Sequence, residues 1–347
     1  MPDESSHSEL VSAPAAKPFK SSRGVPRRIG VLTGGGDAPG MNAAIRSIVR
    51  SAGAVNIEVY GIRRGFEGLI YGNFEPLPSR AVANVIQRGG TILETSRSPH
   101  FRSQEGRARA AENLRYRGVE AIIMIGGDGT LAGAIEFERE ARIPIMFIPA
   151  SIDNDVPGTD YAIGFDTAVN TALEAIDRIR DTAFAGERLF FIEVMGRDSG
   201  FIALAVAIGG GAEAVILPET KCDMDDLCRR IEESQSRGKR SSLIVVSEGP
   251  RTGGAFAIAE EVRARVGMPA RVVVLGHIQR GGAPTARDRL TASRMGAAAV
   301  RALVKHRSSC VIGEHKTDLI YVPFADAMDR RPKIDPDWAR LVQTLSV

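Results

Sequence analysis

Five short stretches of the chain combine residue types that could do chemistry. The first, Thr33-Gly-Gly-Gly-Asp-Ala-Pro-Gly-Met-Asn42, is a run of small residues. Backbone N–H groups freed in such a turn, beside a helix start, can cradle a phosphate. The competing reading is a tight turn that needs positive φ. The run matches neither GxGxxG nor GxxxxGK(S/T), so it fits neither the dinucleotide nor the Walker pattern. The second, Ile125-Gly-Gly-Asp-Gly-Thr130, follows the apolar run Ala121–Met124. Its glycines permit close backbone approach, and Asp128 offers oxygens suited to a hard cation such as Mg²⁺. A glycine turn with Asp128 as a helix cap is the alternative.

The third, Pro149-Ala-Ser-Ile-Asp-Asn-Asp155, places two carboxylates around an amide. That set can hold a general base with a partner that orients it or shares a metal; an Asx-rich turn is the plainer reading. The fourth and fifth, Glu193-Val-Met-Gly-Arg197 and Leu275-Gly-His-Ile-Gln-Arg-Gly-Gly282, each set an Arg beside Gly. This pairing suits an anion held partly by backbone. His277 and Arg280 lie three apart and converge only if the local chain is helical or tightly turned.

The elements that must position these loops read as alternating β and α. Strands are expected at Ile29–Thr33, Glu58–Ile62, Ala121–Ile125, Ile145–Ile148, Leu189–Met195, Ala214–Leu217, Leu243–Ser247 and Arg271–Leu275. Amphipathic helices are expected at Met41–Ser51, Glu105–Arg117, Leu131–Arg142 and Ala168–Asp181. Such alternation predicts βαβ units with parallel sheets buried on both faces, and ligands at the carboxyl ends of the strands. The loops fall there.

Bulk properties exclude several classes. A net charge of +3 is too mild and interspersed to argue for nucleic acid or a membrane surface. Cys222, Cys228 and Cys310 form no metal spacing, and with no signal peptide or long apolar span the expected place is the cytoplasm. Residues 1–25 read as a disordered tail.

Taken in order, GGDAPGMN, GGDG, IDND, EVMGR and LGHIQRGG resemble the bacterial-type 6-phosphofructokinase family from about Arg28 to the C-terminus. GGDGT alone is less specific, since NAD kinases and lipid kinases share similar loops. The resemblance implies two Rossmann-like three-layer α/β/α domains, mostly parallel, with the active site in the cleft between them. A nucleotide domain would span 26–163 plus 279–329 and a sugar-phosphate domain 164–278 plus 330–347. It implies phosphoryl transfer from ATP to the 1-hydroxyl of fructose 6-phosphate, with Mg²⁺.

Residue by residue, Asp153 matches the catalytic base and Asp128 the Mg²⁺ contact. Gly36, Arg97, Ser98, Gly127, Gly129 and Thr130 match nucleotide contacts. Ser151, Ile152, Met195, Gly196, Arg197, Glu248, His277, Ile278, Gln279 and Arg280 fall in the sugar-phosphate motifs. Arg188 and Arg271 match arginines supplied by a neighbouring subunit, which implies a homo-oligomer, usually a tetramer. Arg46, Arg50, Arg180, Glu213, Arg237 and Lys239 match an effector pocket. The chain departs from the pattern at Ser151, where Thr is usual, at Pro78-Ser-Arg-Ala81, which does not align with an effector arginine, and in its tail.

The phosphoryl donor turns on two positions. In the family, pyrophosphate users carry Asp directly after GGD and Lys two residues before IDND; here Gly129 and Ala150 stand there. This favours ATP. The alternatives are a pyrophosphate or dual-donor enzyme, a different kinase on the GGDGT platform, and a non-catalytic sugar-phosphate sensor. The sensor would lose Asp128 or Asp153, and both are present.

Overall fold

The computed structural model describes residues 24–184, 188–238, 241–249 and 253–346. The expected tail lies outside the described residues through residue 23, and so does Lys239. Strands β1 (Arg28–Gly34), β2 (Glu58–Ile62), β3 (Phe74–Pro76), β4 (Ala121–Gly126) and β5 (Ile145–Pro149) interleave with helices α1 (Met41–Gly53), α2 (Gly65–Tyr71), α3 (Gln104–Tyr116) and α4 (Asp128–Ala141). The chain continues through α5 (Phe165–Phe184), β6 (Arg188–Val194), α6 (Phe201–Gly209), β7 (Ala214–Ile216), α7 (Met224–Ser236), β8 (Ser241–Ser247), α8 (Gly254–Val266) and β9 (Ala270–Val274). It returns through α9 (Ala286–Val304), β10 (Cys310–His315), β11 (Asp318–Pro323), α10 (Phe324–Ala327) and α11 (Pro336–Leu345).

Two sheets result, a seven-stranded one ordered β11-β10-β5-β4-β1-β2-β3 and a four-stranded one ordered β7-β8-β6-β9. The second is parallel throughout. The first is parallel in its centre, with β3 and β11 pairing antiparallel with β2 and β10 at its edges, so it is mostly parallel as expected. The α/β class read from the sequence holds.

Strand periodicity sorts the core into faces. Ile29, Val31, Ile123, Ile125, Met146 and Ile148 point to one side, and Leu32, Ile122, Met124, Ile145 and Phe147 to the other. The first side is continuous with Phe190, Ile192, Val194, Leu243 and Val245 of the four-stranded sheet. The inner faces of the two sheets therefore share one apolar core, and their relative placement is set by packing.

A polar staple reinforces that junction. The fully buried Asp288 carboxylate, at the start of α9, accepts from Gly164 N at 2.8 Å, Thr167 N at 2.9 Å and Thr167 Oγ1 at 2.5 Å. Thr285 Oγ1 donates to Asp166 at 2.6 Å, so the N-termini of α5 and α9 are held together. Removing the acceptor leaves buried donors unsatisfied, which is more costly than losing the bonds alone. Asp288→Ala is expected to lower stability by about 3 kcal/mol, read from the shift of a urea unfolding midpoint at constant m-value. A shift below about 1 kcal/mol would show that the staple is dispensable.

Candidate active site

Three of the chemistry-bearing loops leave adjacent strands at one edge. Gly34 of β1 pairs with Gly126 of β4, and Gly126 with Pro149 of β5. The strand order reverses between β1 and β4, which is where open α/β sheets bind ligands. The loops pack too closely for side chains. A Cβ on Gly126 would lie 2.6 Å from the Gly34 carbonyl and 2.7 Å from Thr130 Oγ1, and Thr130 itself is buried.

Gly127 begins α4 with no side-chain cap, so the helix N-terminus keeps donors and positive dipole for an anion. Asp128 follows it, half-exposed, and its Oδ1 accepts from Gly129 N at 2.6 Å. A Cβ on Gly129 would meet nothing within 4 Å, so the space beside it is open. Arg97 is exposed on the loop before the 3-10 turn Pro99–Arg102; the Ser98 hydroxyl is buried and has no partner among the described residues.

Asp153 lies deeper, 8% exposed. Its N–H donates to Ser151 Oγ at 3.2 Å, and that hydroxyl donates to Asp155 Oδ1 at 3.3 Å. Serine thus fills a loop-bracing role where the family pattern has Thr. Asn154 adopts a left-handed φ of 53°, and its side chain donates to Asp160 O and accepts from Ala162 N, closing the turn. One Asp153 oxygen, Oδ1, is buried without a partner among the described residues. Burial first, then the neighbouring Asp155, push the Asp153 carboxyl up to about 6, against the pull of Arg280 and Arg197. Asp155 is also raised, by burial and then by Asp128.

The four-stranded half supplies the other wall. After β6 the chain turns through Gly196 at φ 148° and Arg197 at φ 58°, an uncommon conformation for a residue with a side chain. The turn buries Met195 and Gly196 and leaves Arg197 exposed. Ser199 Oγ donates to the Asp153 carbonyl at 2.8 Å, joining the two halves at the carboxylate. Glu248, after β8, bonds through its N–H to Val194 O at 2.8 Å and contributes to the field at Asp153.

In the 3-10 turn Gly276–Arg280, His277 and Ile278 are exposed, while Gln279 is buried with its amide oxygen unpartnered among the described residues. Arg280 reaches the first loop, where Nη1 donates to Asp37 O at 3.3 Å and a Cβ on Gly36 would be 2.5 Å from it. Glycine there lets the guanidinium lie over the backbone without having to shift. Ile152 is wholly buried and packs in the shared core.

The remaining expected residues divide. Arg271 is exposed on β9, an edge strand, and Arg188 opens β6, its side chain lying outside the described part. Glu213 and Arg237 line a pocket of about 510 Å³ together with Arg229, Arg230 and Gln343. Arg180 donates to Gly210 O and Gly211 O at the end of α6. Arg46 and Arg50 sit on α1, which packs on α9 and β2, and no described contact brings them to that pocket.

Two residues at the site were not singled out from the sequence. Ser199 and Arg331, the latter 3.5 Å from Asp128 Oδ2, owe their places to chain crossings that no local pattern reports. Asp155 was legible as part of the third loop. Among the described residues no cluster of three or more His, Cys, Asp or Glu could enclose a metal by itself. Mg²⁺ commonly takes only one or two carboxylates and completes its shell with phosphate oxygens and water, so Asp128 with Asp155 near it is a compatible donor set.

Comparisons with known proteins identify the family and the fold. Residues 28–303 match the family model described as phosphofructokinase. The chain is 55% identical to ATP-dependent 6-phosphofructokinase 1 of Thermus thermophilus over 92% of its own length and 100% of that protein. It is 47% identical to ATP-dependent 6-phosphofructokinase 2 of Bacteroides thetaiotaomicron, over 93% and 100%. Among solved structures it resembles phosphofructokinase from Saccharomyces cerevisiae with a TM-score of 0.82 and 31% identity, covering 92% of this chain and 47% of the yeast chain. A pyrophosphate-dependent phosphofructokinase from Marinobacter aquaeolei shares the fold with a TM-score of 0.80 at 21% identity. With a family match across most of its length and relatives this similar end to end, the chain belongs to the phosphofructokinase family.

Proposed function

We propose that the protein transfers the terminal phosphoryl group of ATP to the 1-hydroxyl of fructose 6-phosphate, yielding fructose 1,6-bisphosphate and ADP. The observation that carries this reading is the buried Asp153 carboxylate, with one free oxygen, facing the charges of Arg197 and Arg280. ATP is the donor in the names of the Thermus and Bacteroides relatives. The open space beside Gly129 and the uncharged, buried Ala150 support the same donor.

The sugar hydroxyl oxygen attacks the γ-phosphorus as the bond to the β–γ bridging oxygen breaks, its electron pair leaving with ADP. Asp153 accepts the hydroxyl proton and returns it to solvent. Phosphoryl transfer needs positioning and charge stabilisation more than a strong base, so a carboxylate suffices. Asp128 would hold Mg²⁺, which would supply charge neutralisation to the polyphosphate. Gly36, Gly127, Gly129 and Thr130 leave backbone near the nucleotide, with Arg97 and Ser98 as further phosphate contacts. Ser151, Met195, Gly196, Arg197, Glu248, His277 and Arg280 hold the sugar phosphate; guanidinium groups suit its anionic oxygens.

The site is completed by Arg188 and Arg271 of a neighbouring copy in a homo-oligomer, a tetramer in the reading the family implies. Supporting an assembly, β9 is an edge strand with Arg271 exposed and Val274 48% exposed, and Ile278 beside it is 57% exposed. Glu213 and Arg237, which line one pocket, are read as part of an effector site for an anionic ligand; the family resemblance adds Arg46, Arg50, Arg180 and Lys239 to it, of which Arg46 and Arg50 are not brought to that pocket by any described contact within the chain. The enzyme works in the cytoplasm as a glycolytic kinase; no helix among the described residues is long and apolar enough to cross a membrane.

Asp153→Asn is expected to lower kcat by roughly 10²–10⁴-fold while leaving fructose 6-phosphate binding largely intact. Near-normal turnover would remove Asp153 from the mechanism. The pH profile gives an independent reading. A base works only when ionised, and burial raises this one, so kcat/KM should fall about tenfold per pH unit below about 6 and level off above it. A profile flat down to pH about 4, the ordinary range of an exposed Asp, would contradict the assignment.

A further inference from the structure

The connector between α10 and α11, residues 328–335, crosses from the seven-stranded half, where α10 packs on β10 and β11, to the four-stranded half, where α11 packs on α6 and β7. It is tied down on the way. Arg330 N donates to Ala327 O at 3.0 Å, and Arg330 O accepts from Gly158 N at 2.9 Å, three residues past Asp155. The next residue, Arg331, sends its guanidinium to Asp128 Oδ2 at 3.5 Å.

We infer that Arg331 is a nucleotide-positioning residue: it stands in for the cation at Asp128 while the site is free, and serves the polyphosphate once the cation takes Asp128 over. The inference rests on the phosphoryl-transfer reading above. Three carboxylates, Asp128, Asp153 and Asp155, lie along the two loops, and burial already raises two of them. A polyphosphate approaching such a group meets repulsion unless positive charge is at hand. Arg331 provides it from outside the loops, and its charge also acts on Asp155, lowering what burial and Asp128 raise.

The pair is built to exchange. Its side chains are 50% and 43% exposed, so the contact is weak and yields to a divalent cation. A buried carboxylate does not release its partner so easily: Glu314, 2% exposed, holds the half-exposed Arg287 at 2.5 Å. Released from Asp128, a guanidinium beside the uncapped start of α4 is free to donate to phosphate oxygens.

The test is calorimetric titration of MgADP into the full-length protein and its Arg331→Lys, Arg331→Gln and Arg331→Glu variants, with KM for both substrates and a thermal melt of each. Arg331→Gln should weaken MgADP binding about tenfold, the worth of one charge-assisted hydrogen bond, and Arg331→Glu by more. Arg331→Lys, which keeps the charge, should lie between the wild type and Arg331→Gln, and KM for fructose 6-phosphate should stay within about twofold of wild type. MgADP binding by Arg331→Glu within about twofold of wild type would overturn the inference. So would equal weakening of both substrates with a lowered melt, because that is the signature of a connector that only holds the halves together. Failure of the wild type itself to bind MgADP or to phosphorylate fructose 6-phosphate would instead sink the underlying functional reading.

Discussion

A single hydroxyl, Ser199 Oγ donating to the Asp153 carbonyl at 2.8 Å, joins the loop after β5 to the turn after β6. The site depends on that junction being fixed, because Asp153 belongs to one sheet and Arg197 to the other. Hydrogen bonding alone would not fix it. The shared apolar core does, since Ile125 and Ile148 of one sheet and Ile192 and Val194 of the other belong to the same buried cluster. Close-packed interiors transmit position, so the loops at the strand ends inherit the geometry of the core beneath them.

Burial has a second consequence at the same place. It strips water from Asp153 and moves its carboxyl toward neutrality, while Arg197 and Arg280 keep it from moving further. The same arginines are the cations a phosphorylated sugar would meet. Arg197 takes up its position at a local cost of about 1–2 kcal/mol for left-handed backbone, at φ 58°. Strain of this kind persists only where surrounding structure over-determines it, and here Gly196, Ser199 and Gly249 pack around the turn.

Much of this was legible in the sequence because it is local. The central strands are apolar runs, β1 and β4 ended by glycine and β5 by Pro149, and the family motifs begin at or directly after their ends. The hairpin β10–β11 was missed for an identifiable reason: Glu314 is buried at 1% exposure inside β10 and breaks the apolar pattern, its charge met by Arg287 and Arg294. β3 has only three residues and ends in Pro76, too little for periodicity. Ser199 and Arg331 carry no local signature, because their partners are 46 residues away for one and far along the chain for the other. Side chains that act across chain crossings are invisible to a reading by spacing.

The central claim is that this geometry moves the γ-phosphoryl group of ATP onto a sugar phosphate, and the identity of the donor tests it most directly. The measurement is fructose 1,6-bisphosphate formation by the purified protein from fructose 6-phosphate and Mg²⁺, with ATP or pyrophosphate as donor in parallel. The account predicts turnover with ATP, and with pyrophosphate at best poor turnover. No product from either donor, or pyrophosphate turnover equal to or above that with ATP, would contradict it.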